Sequence, residues 1–228
     1  MGHKVNPKLF RLGPLYNWDS RWFDDKNYAA TLFEDYKLRK AIMERLKGAG
    51  VSSVEIERSI NSVRITAYVS KPGIVIGRGG AGLEELKKFL NQLLSENKKG
   101  LLAGPLRNEA SKAGKNLPKI DIRIEPIKDP SLDAYLVAKN ISDQVARRMP
   151  HKRVMTQSVE RAMSAGALGI RVVLSGRIGG AEIGRREKMQ QGTVPLSTIR
   201  EHVNYASVPS LTKKGYVGVK VWINRKES

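Results

Sequence analysis

Two kinds of periodicity divide the chain into two blocks. In the first block, Ala29–Lys47 carries apolar residues at helical spacing, with Leu32, Tyr36, Met43 and Leu46 expected to share the core face and Gly48 and Gly50 to end the helix. Two alternating runs follow, Val54–Glu57 and Val63–Val69, with Asn61-Ser62 as their hairpin turn. Leu83–Ser95 is amphipathic: Leu83, Leu86, Leu90, Leu93 and Leu94 form one stripe, and Lys87 and Lys88 lie off it on a solvated face. Lys98–Lys119 breaks the pattern with Gly100, Gly104, Pro105, Gly114 and Pro118 among lysines 98, 99, 112, 115 and 119, so a long basic loop is expected. Ile120–Glu125 alternates again and closes an α-β-β-α-α-β order.

Lys128-Asp129-Pro130 marks the boundary to the second block. Ser131–Met149 reads as a helix with Ser131 as N-cap and Asp133 in its first turn, stopped by Pro150. Lys152–Ala165 is a second helix closed by Gly166, and Gly169–Ser175 is a strand. Ala181–Met189, Thr193–Ile199, Val203–Ser207 and Val217–Ile223 come next. Helices first and strands afterwards predict an α+β layer, two helices on one face of a mixed or antiparallel sheet. Ahead of both blocks, residues 1–17 read as an extended basic arm carrying Lys4, Lys8 and Arg11, or as a disordered terminus. Trp18–Phe23 is expected to be a short docked helix. The expected organisation is an arm at 1–17, one domain at 18–127 and another at 128–228.

Charge changes the picture more than size does. The 228 residues carry 41 Lys or Arg against 22 acids, a formal charge of +19, and the pI is near 10.2. That excess opposes compaction unless an anionic partner neutralises it, and nucleic acid is the leading partner. A membrane surface ranks below it, because no apolar run is long enough to span and no strongly amphipathic basic helix is present. Aromatic residues make up 6%, which argues against base stacking on an aromatic sheet as the main binding mode. With no cysteine, thiol chemistry, disulfides and zinc knuckles are excluded. His3, His151 and His202 show no metal-ligand spacing, so no metal or cofactor is expected. Met1–Arg11 has no apolar stretch of the kind a secretory signal needs, which points to the cytosol.

Between the second strand and the leucine-striped helix lies Pro72-Gly73-Ile74-Val75-Ile76-Gly77-Arg78-Gly79-Gly80-Ala81-Gly82. Missing Cβ atoms let a ligand approach the backbone, and a helix start offers unpaired N–H groups to an anion. Gly77-x-Gly79-x-x-Gly82 matches the dinucleotide fingerprint literally. That fingerprint needs a strand directly before it and an acid about 20 residues on; here Pro72-Gly73 intervenes and Lys98-Lys99-Gly100 stands at the later place. The alternative is a Gly77-Arg78-Gly79-Gly80 loop between two helices, the GXXG arrangement with which a KH domain clamps single-stranded nucleic-acid backbone. The α-β-β-α-α-β order favours the second reading and resembles the type II KH fold.

A second cationic region runs from His151 to Met189, with eight Lys or Arg against three Glu. Lys152, Arg153, Arg177, Arg185, Arg186 and Lys188 are suited to phosphates in a salt-dependent way. Arg177-Ile178-Gly179-Gly180 is either a second glycine-flanked cation site or a tight strand-to-strand turn. Arg147 and Arg148 are RNA contacts or charges that suit a helix C-terminus.

Four segments carry a resemblance to the small-subunit ribosomal protein S-three family of bacterial type. They are Met1–Pro7 with Phe10–Gly13, Gly73–Gly80, Ser175–Ile183, and Gly215–Ile223. The likeness runs from end to end. It implies an amino-terminal type II KH domain, a carboxy-terminal α/β domain, and a place in the small-subunit head among other head proteins, bound to ribosomal RNA. It further implies contact with messenger RNA where that RNA enters the subunit. There the family carries an adjacent basic pair at the start of the second carboxy-terminal helix, matched here by Lys152 and Arg153. The further basic pair that the family often adds is replaced by Thr156 and Gln157. With no G-x-x-x-x-G-K-[ST] present, any opening of messenger RNA would be passive. The resemblance implies no enzyme and no small-molecule substrate; Glu84-Glu85 sit at a helix start, where acids suit the dipole. The alternative is a free KH-type RNA-binding or RNA-processing factor.

Overall fold

The computed structural model describes residues 4–101 and 119–226, the side chains of 96–101 excepted. In chain order the elements are α1 (Pro7–Phe10), β1 (Ser20–Arg21), α2 (Tyr28–Arg45), β2 (Val51–Arg58), β3 (Ser62–Val69), α3 (Pro72–Ile76), α4 (Ala81–Leu101) and β4 (Lys119–Pro126). Then come α5 (Ala134–Ala146), α6 (His151–Ser164), β5 (Ala167–Gly176), β6 (Arg185–Gly192), β7 (His202–Thr212) and β8 (Gly215–Arg225). They form two compact units, Trp18–Ile127 and Met1–Asn17 with Lys128–Ser228.

In the first unit, Val54 and Ile56 on β2 and Val63, Ile65, Ala67 and Val69 on β3 alternate into the core, as period-2 strands require. The sheet order is β1-β2-β3-β4; β2 and β3 are antiparallel, whereas β1 and β4 run parallel to their neighbours. Leu86, Leu90 and Leu94 of α4 and Leu38 and Ile42 of α2 close this core.

Several expectations change here. Trp18–Phe23 is no helix: Ser20-Arg21 extends beside β2, and the Asp19 carbonyl accepts from the Ile56 N–H at 2.9 Å. The exposed edge of β2 offers hydrogen bonds that a short helix could not take up. On α2 the buried face is Asp35, Leu38 and Ile42; Leu32 and Tyr36 face solvent. The face is set by Asp35, whose carboxylate is paired inside the unit, so an acid sits where an apolar residue was expected. The basic loop starts later than expected, because helix α4 continues through Lys98–Leu101 and Lys119 already belongs to β4. The rest of that loop, 102–118, lies outside the described residues.

The second unit has sheet order β6-β5-β8-β7, antiparallel throughout. Ile170, Val172 and Leu174 of β5 and Val219, Val221 and Ile223 of β8 point to one side, where α5 and α6 cover them. Helix α5 is capped by Asp133, not Ser131: the Asp133 carboxylate accepts from the Leu136 N–H at 2.9 Å, while Ser131 lies in a preceding 3-10 turn. Ala181–Gly184 and Thr193–Ile199 form no strand. In the latter stretch the carbonyls of Pro195, Leu196 and Thr198 accept from Arg11 instead of from a neighbouring strand. The amino-terminal arm is not extended: Asn6 caps α1, and Arg11 is 0% exposed.

Candidate nucleic-acid interface

Three cationic places emerge from these folds, and each is built by a different device. The first is the glycine loop. α3 ends at Ile76, Arg78–Gly80 make one 3-10 turn, and α4 starts at Ala81. The loop therefore joins helix to helix, the context of the GXXG reading and not of the dinucleotide one. Gly82 serves packing, since a Cβ there would stand 2.5 Å from the Val75 carbonyl oxygen and force the two helices apart. Gly79 and Gly80 serve exposure. Both hold positive φ, +61° and +84°, and a Cβ on either would meet nothing within 4 Å. Their backbone is open to a large ligand, and the Arg78 side chain beside them is exposed.

The second place is the outer face of the carboxy-terminal sheet, away from α5 and α6. Register puts Arg171 opposite Trp222 and Gln190, Val173 opposite Lys188 and Lys220, and Ser175 opposite Arg186. Alternation along three strands thus gathers Arg171, Arg186, Lys188 and Lys220 on one surface. The amino-terminal arm adds Lys4. Its ammonium is pushed below the usual lysine value, first by the Arg171 guanidinium, then by burial and by Arg186, Lys188 and Lys220. Arg171 also lies over the Trp222 ring, 5.2 Å from its centroid. Five like charges within mutual reach raise the cost of the empty surface and favour a polyanion on it.

The same alternation separates residues that are adjacent in sequence. Arg185 and Glu187 point to the opposite face from Arg186 and Lys188. There, Arg185 Nη2 stands 2.8 Å from Glu187 Oε1, and His151 Nε2 stands 2.8 Å from Glu187 Oε2. Arg185 is therefore already ion-paired. Arg177 donates from Nε to the Glu182 carbonyl at 3.0 Å and ties down the turn that includes Gly179 and Gly180, with Ile178 buried beneath it. The turn reading of that segment describes its geometry. Lys8 is half-buried on α1. Arg11, expected to meet a phosphate, is a correction: Nε, Nη1 and Nη2 donate to carbonyls of Glu201, Pro7, Pro195, Leu196 and Thr198 at 2.7–3.2 Å. It fastens the arm to the unit and leaves no donor for RNA.

The third place is the α5–α6 corner. Arg147 is the C-cap of α5 and Arg148 follows with φ +62°, where positive charge suits the helix dipole. Helix α6 then opens with His151, Lys152 and Arg153, with no acid in its first turn and no side-chain cap from Pro150. Arg147, Arg148, Lys152 and Arg153 are all exposed. Positive charge at an uncapped helix start runs against the dipole unless an anion joins it. Thr156 spends its hydroxyl on the Lys152 carbonyl at 3.0 Å.

Sequence reasoning found the loop and the corner because each is contiguous. It missed Arg171 and Lys220, which lie 49 positions apart and meet only through the register of β5 and β8. Among the described residues, no helix is long and apolar enough to cross a membrane and no cluster of acids and histidines could hold a metal ion.

Comparison with known proteins gives two family matches: the KH domain over residues 37–132 and "Ribosomal protein S3, C-terminal domain" over residues 141–223. The chain is also similar over its full length to curated proteins called small ribosomal subunit protein uS3. It is 46% identical to that of Lactobacillus acidophilus, covering 92% of the relative. Against the Bacillus cytotoxicus protein it is 45% identical over 94% of the relative, and against the Syntrophomonas wolfei protein 42% over 90%.

Proposed function

The chain belongs to the small ribosomal subunit protein uS3 family, and from that premise we propose how its three cationic surfaces divide the work of holding RNA. As a member it is a non-enzymatic constituent of the small subunit, in the ribosome and in the cytoplasm. The outer sheet face, with Lys4, Arg171, Arg186, Lys188 and Lys220, binds ribosomal RNA through phosphates. It reads charge and spacing, not bases. The Gly77–Gly80 loop takes a single-stranded stretch of RNA backbone. Domain bounds of 18–127 for the KH unit and 128–228 for the carboxy-terminal domain follow from the same reading, with the arm fastened to the latter.

The α5–α6 corner meets messenger RNA where it enters the subunit. One observation carries this: α6 begins with two exposed cations, Lys152 and Arg153, at an N-terminus with no side-chain cap and no acid in its first turn. Such a start is stabilised by phosphate. Arg147 and Arg148 extend the same surface from the preceding turn. Opening of a hairpin there is passive, with Lys152 and Arg153 holding strands while the translating ribosome supplies the work. Ribosomes carrying Lys152→Ala with Arg153→Ala should translate structured messages more slowly and unstructured ones at the usual rate. Equal rates on both would remove the corner from this role. A chain that sediments away from small subunits would favour the free RNA-binding factor instead.

A further inference from the structure

Helix α6 starts without the devices that usually hold a first turn. Pro150 gives no side-chain cap, the turn contains no acid, and Lys152 and Arg153 place two exposed cations where the dipole disfavours them. Apolar burial begins only at Val154 and Met155, 0% and 2% exposed. The residues ahead of Val154 are therefore the part of the helix most prone to fray, and they carry the two cations.

What ties this turn down comes from a strand. Arg185, Glu187 and Met189 alternate onto the helix-covered side of β6, opposite to Arg186 and Lys188. Glu187 stands between two cations: Oε1 is 2.8 Å from Arg185 Nη2, and Oε2 is 2.8 Å from His151 Nε2. His151 Nε2 is shut off from water and finds no well-aligned hydrogen-bond partner among the described residues, so the charge of Glu187 is what answers it. Two residues further along β6, Met189 Sδ lies 3.5 Å from the Thr156 hydroxyl, one turn into the helix. The strand thus supplies from outside the acid that the first turn lacks, and holds the first residue of α6 against the sheet.

We propose that Glu187 is a positioning residue: through His151 it fixes the first turn of α6, and with it Lys152 and Arg153, without touching RNA itself. The proposal rests on the reading of the α5–α6 corner as the surface that meets messenger RNA. Glu187 is an acid inside a cationic region, and charge counting alone says that its removal strengthens RNA binding. Positioning says the reverse.

Ribosomes carrying Glu187→Gln, which keeps the shape and removes the charge, should read structured messages about two- to fivefold more slowly, the scale of one partly exposed ion pair. Unstructured messages should be read at the usual rate. Glu160→Gln removes the same charge from the exposed side of α6 and should slow neither. His151→Gln should reproduce the loss, and its combination with Glu187→Gln should be no slower than either single variant, since both break one contact. His151→Arg should keep the usual rate while Glu187 is present and lose it in the Glu187→Gln chain, a dependence that a general loss of stability would not produce. A Glu187→Gln rate on structured messages at or above that of the parent, or additive losses in the double variant, overturns the proposal. If Lys152→Ala with Arg153→Ala leaves structured messages unaffected, the reading of the corner fails and the proposal with it. If that pair slows them and Glu187→Gln does not, the positioning role alone fails. Sedimentation first establishes that each variant enters small subunits; should Glu187→Gln not assemble, His151→Gln carries the same test.

Discussion

Arg11 Nη2 donates to the carbonyl oxygen of Thr198 at 2.7 Å, joining residues 187 positions apart in sequence. The guanidinium is 0% exposed and has carbonyls on every side. A long apolar-stemmed cation that can donate in several directions holds an otherwise strandless segment and the amino-terminal arm at once. Replacing it leaves those carbonyls without donors in a buried place.

Arg11→Ala is therefore expected to destabilise the carboxy-terminal unit by about 3 kcal/mol or more. In thermal unfolding of the free chain its midpoint should fall on the order of 10 °C. Arg11→Lys should recover little, because an ammonium cannot span the same fork of acceptors. An unchanged midpoint would mean that the arm is not fastened by this residue.

Asp35 anchors the other unit in a comparable way. Its Oδ1 accepts from Arg58 Nε at 2.7 Å, its Oδ2 from the Trp22 indole at 2.7 Å, and it is 1% exposed. Asp35→Ala leaves the buried Arg58 with Glu34 alone, at 3.0 Å from Nη1, and the Trp22 indole without its acceptor, and should cost roughly 3 kcal/mol, read as a lower denaturant midpoint for the amino-terminal unit. A double change, Asp35→Leu with Arg58→Met, should cost less, since the deeply buried charges go together and only Glu34, at the edge of the cluster, loses its partner. If the double variant is as weak as the single one, the pair matters for packing and not for charge balance.

At the glycine loop, Gly79→Asp should weaken binding of single-stranded RNA through steric and charge repulsion. Gly79→Asn is the control. Asn tolerates the left-handed conformation seen at φ +61° and adds no charge, so its loss should be smaller. Binding by both variants equal to that of the parent chain would show the loop to be structural.

The sheet face should show itself in the salt dependence of RNA binding. Each phosphate contact removed lowers the slope of log K against log salt by about 0.9 on a duplex. Arg186→Ala, Lys188→Ala and Lys220→Ala together should lower it by roughly 2–3. The same changes confined to Arg185, which pairs with Glu187, should leave the slope almost untouched. A flat response to the triple variant would take the sheet face out of RNA binding.

Lys4 gives a prediction with opposite signs for folding and binding. Its folded value is lowered, chiefly by Arg171, so the charged form opposes folding. Stability linked to Lys4 is accordingly gained as pH rises through its folded value towards the ordinary lysine value. Lys4→Met should raise the thermal midpoint of the free chain at low salt, with the gain vanishing at high salt, yet weaken RNA binding. A lower midpoint at low salt would show that Lys4 is not repelled by its neighbours.

The sequence by itself determined the things that depend on neighbours along the chain. Strand alternation at Val63–Val69, the leucine stripe of α4, the glycine loop with Arg78, and the Lys152-Arg153 pair at a helix start were all legible, because their periods or dipole positions are local. The class, two α+β blocks with a KH-type order in the first, followed from those elements. Tertiary structure decided which side of an element each residue faces and which distant residues meet. The face of α2 turned on Asp35, since a buried acid is stable only opposite Arg58 and Trp22, and neither is its neighbour on the helix. Within Trp18–Phe23, Ser20-Arg21 became a strand because β2 had an edge to satisfy. Arg11 left the RNA surface because carbonyls of Pro195, Leu196, Thr198 and Glu201, brought over it by the fold, accept its donors in place of water. Register alone put Arg171 beside Lys220 and parted Arg185 from Arg186. Long-range pairing of this kind is fixed by hydrogen-bonded ladders and buried charge, which no local pattern encodes.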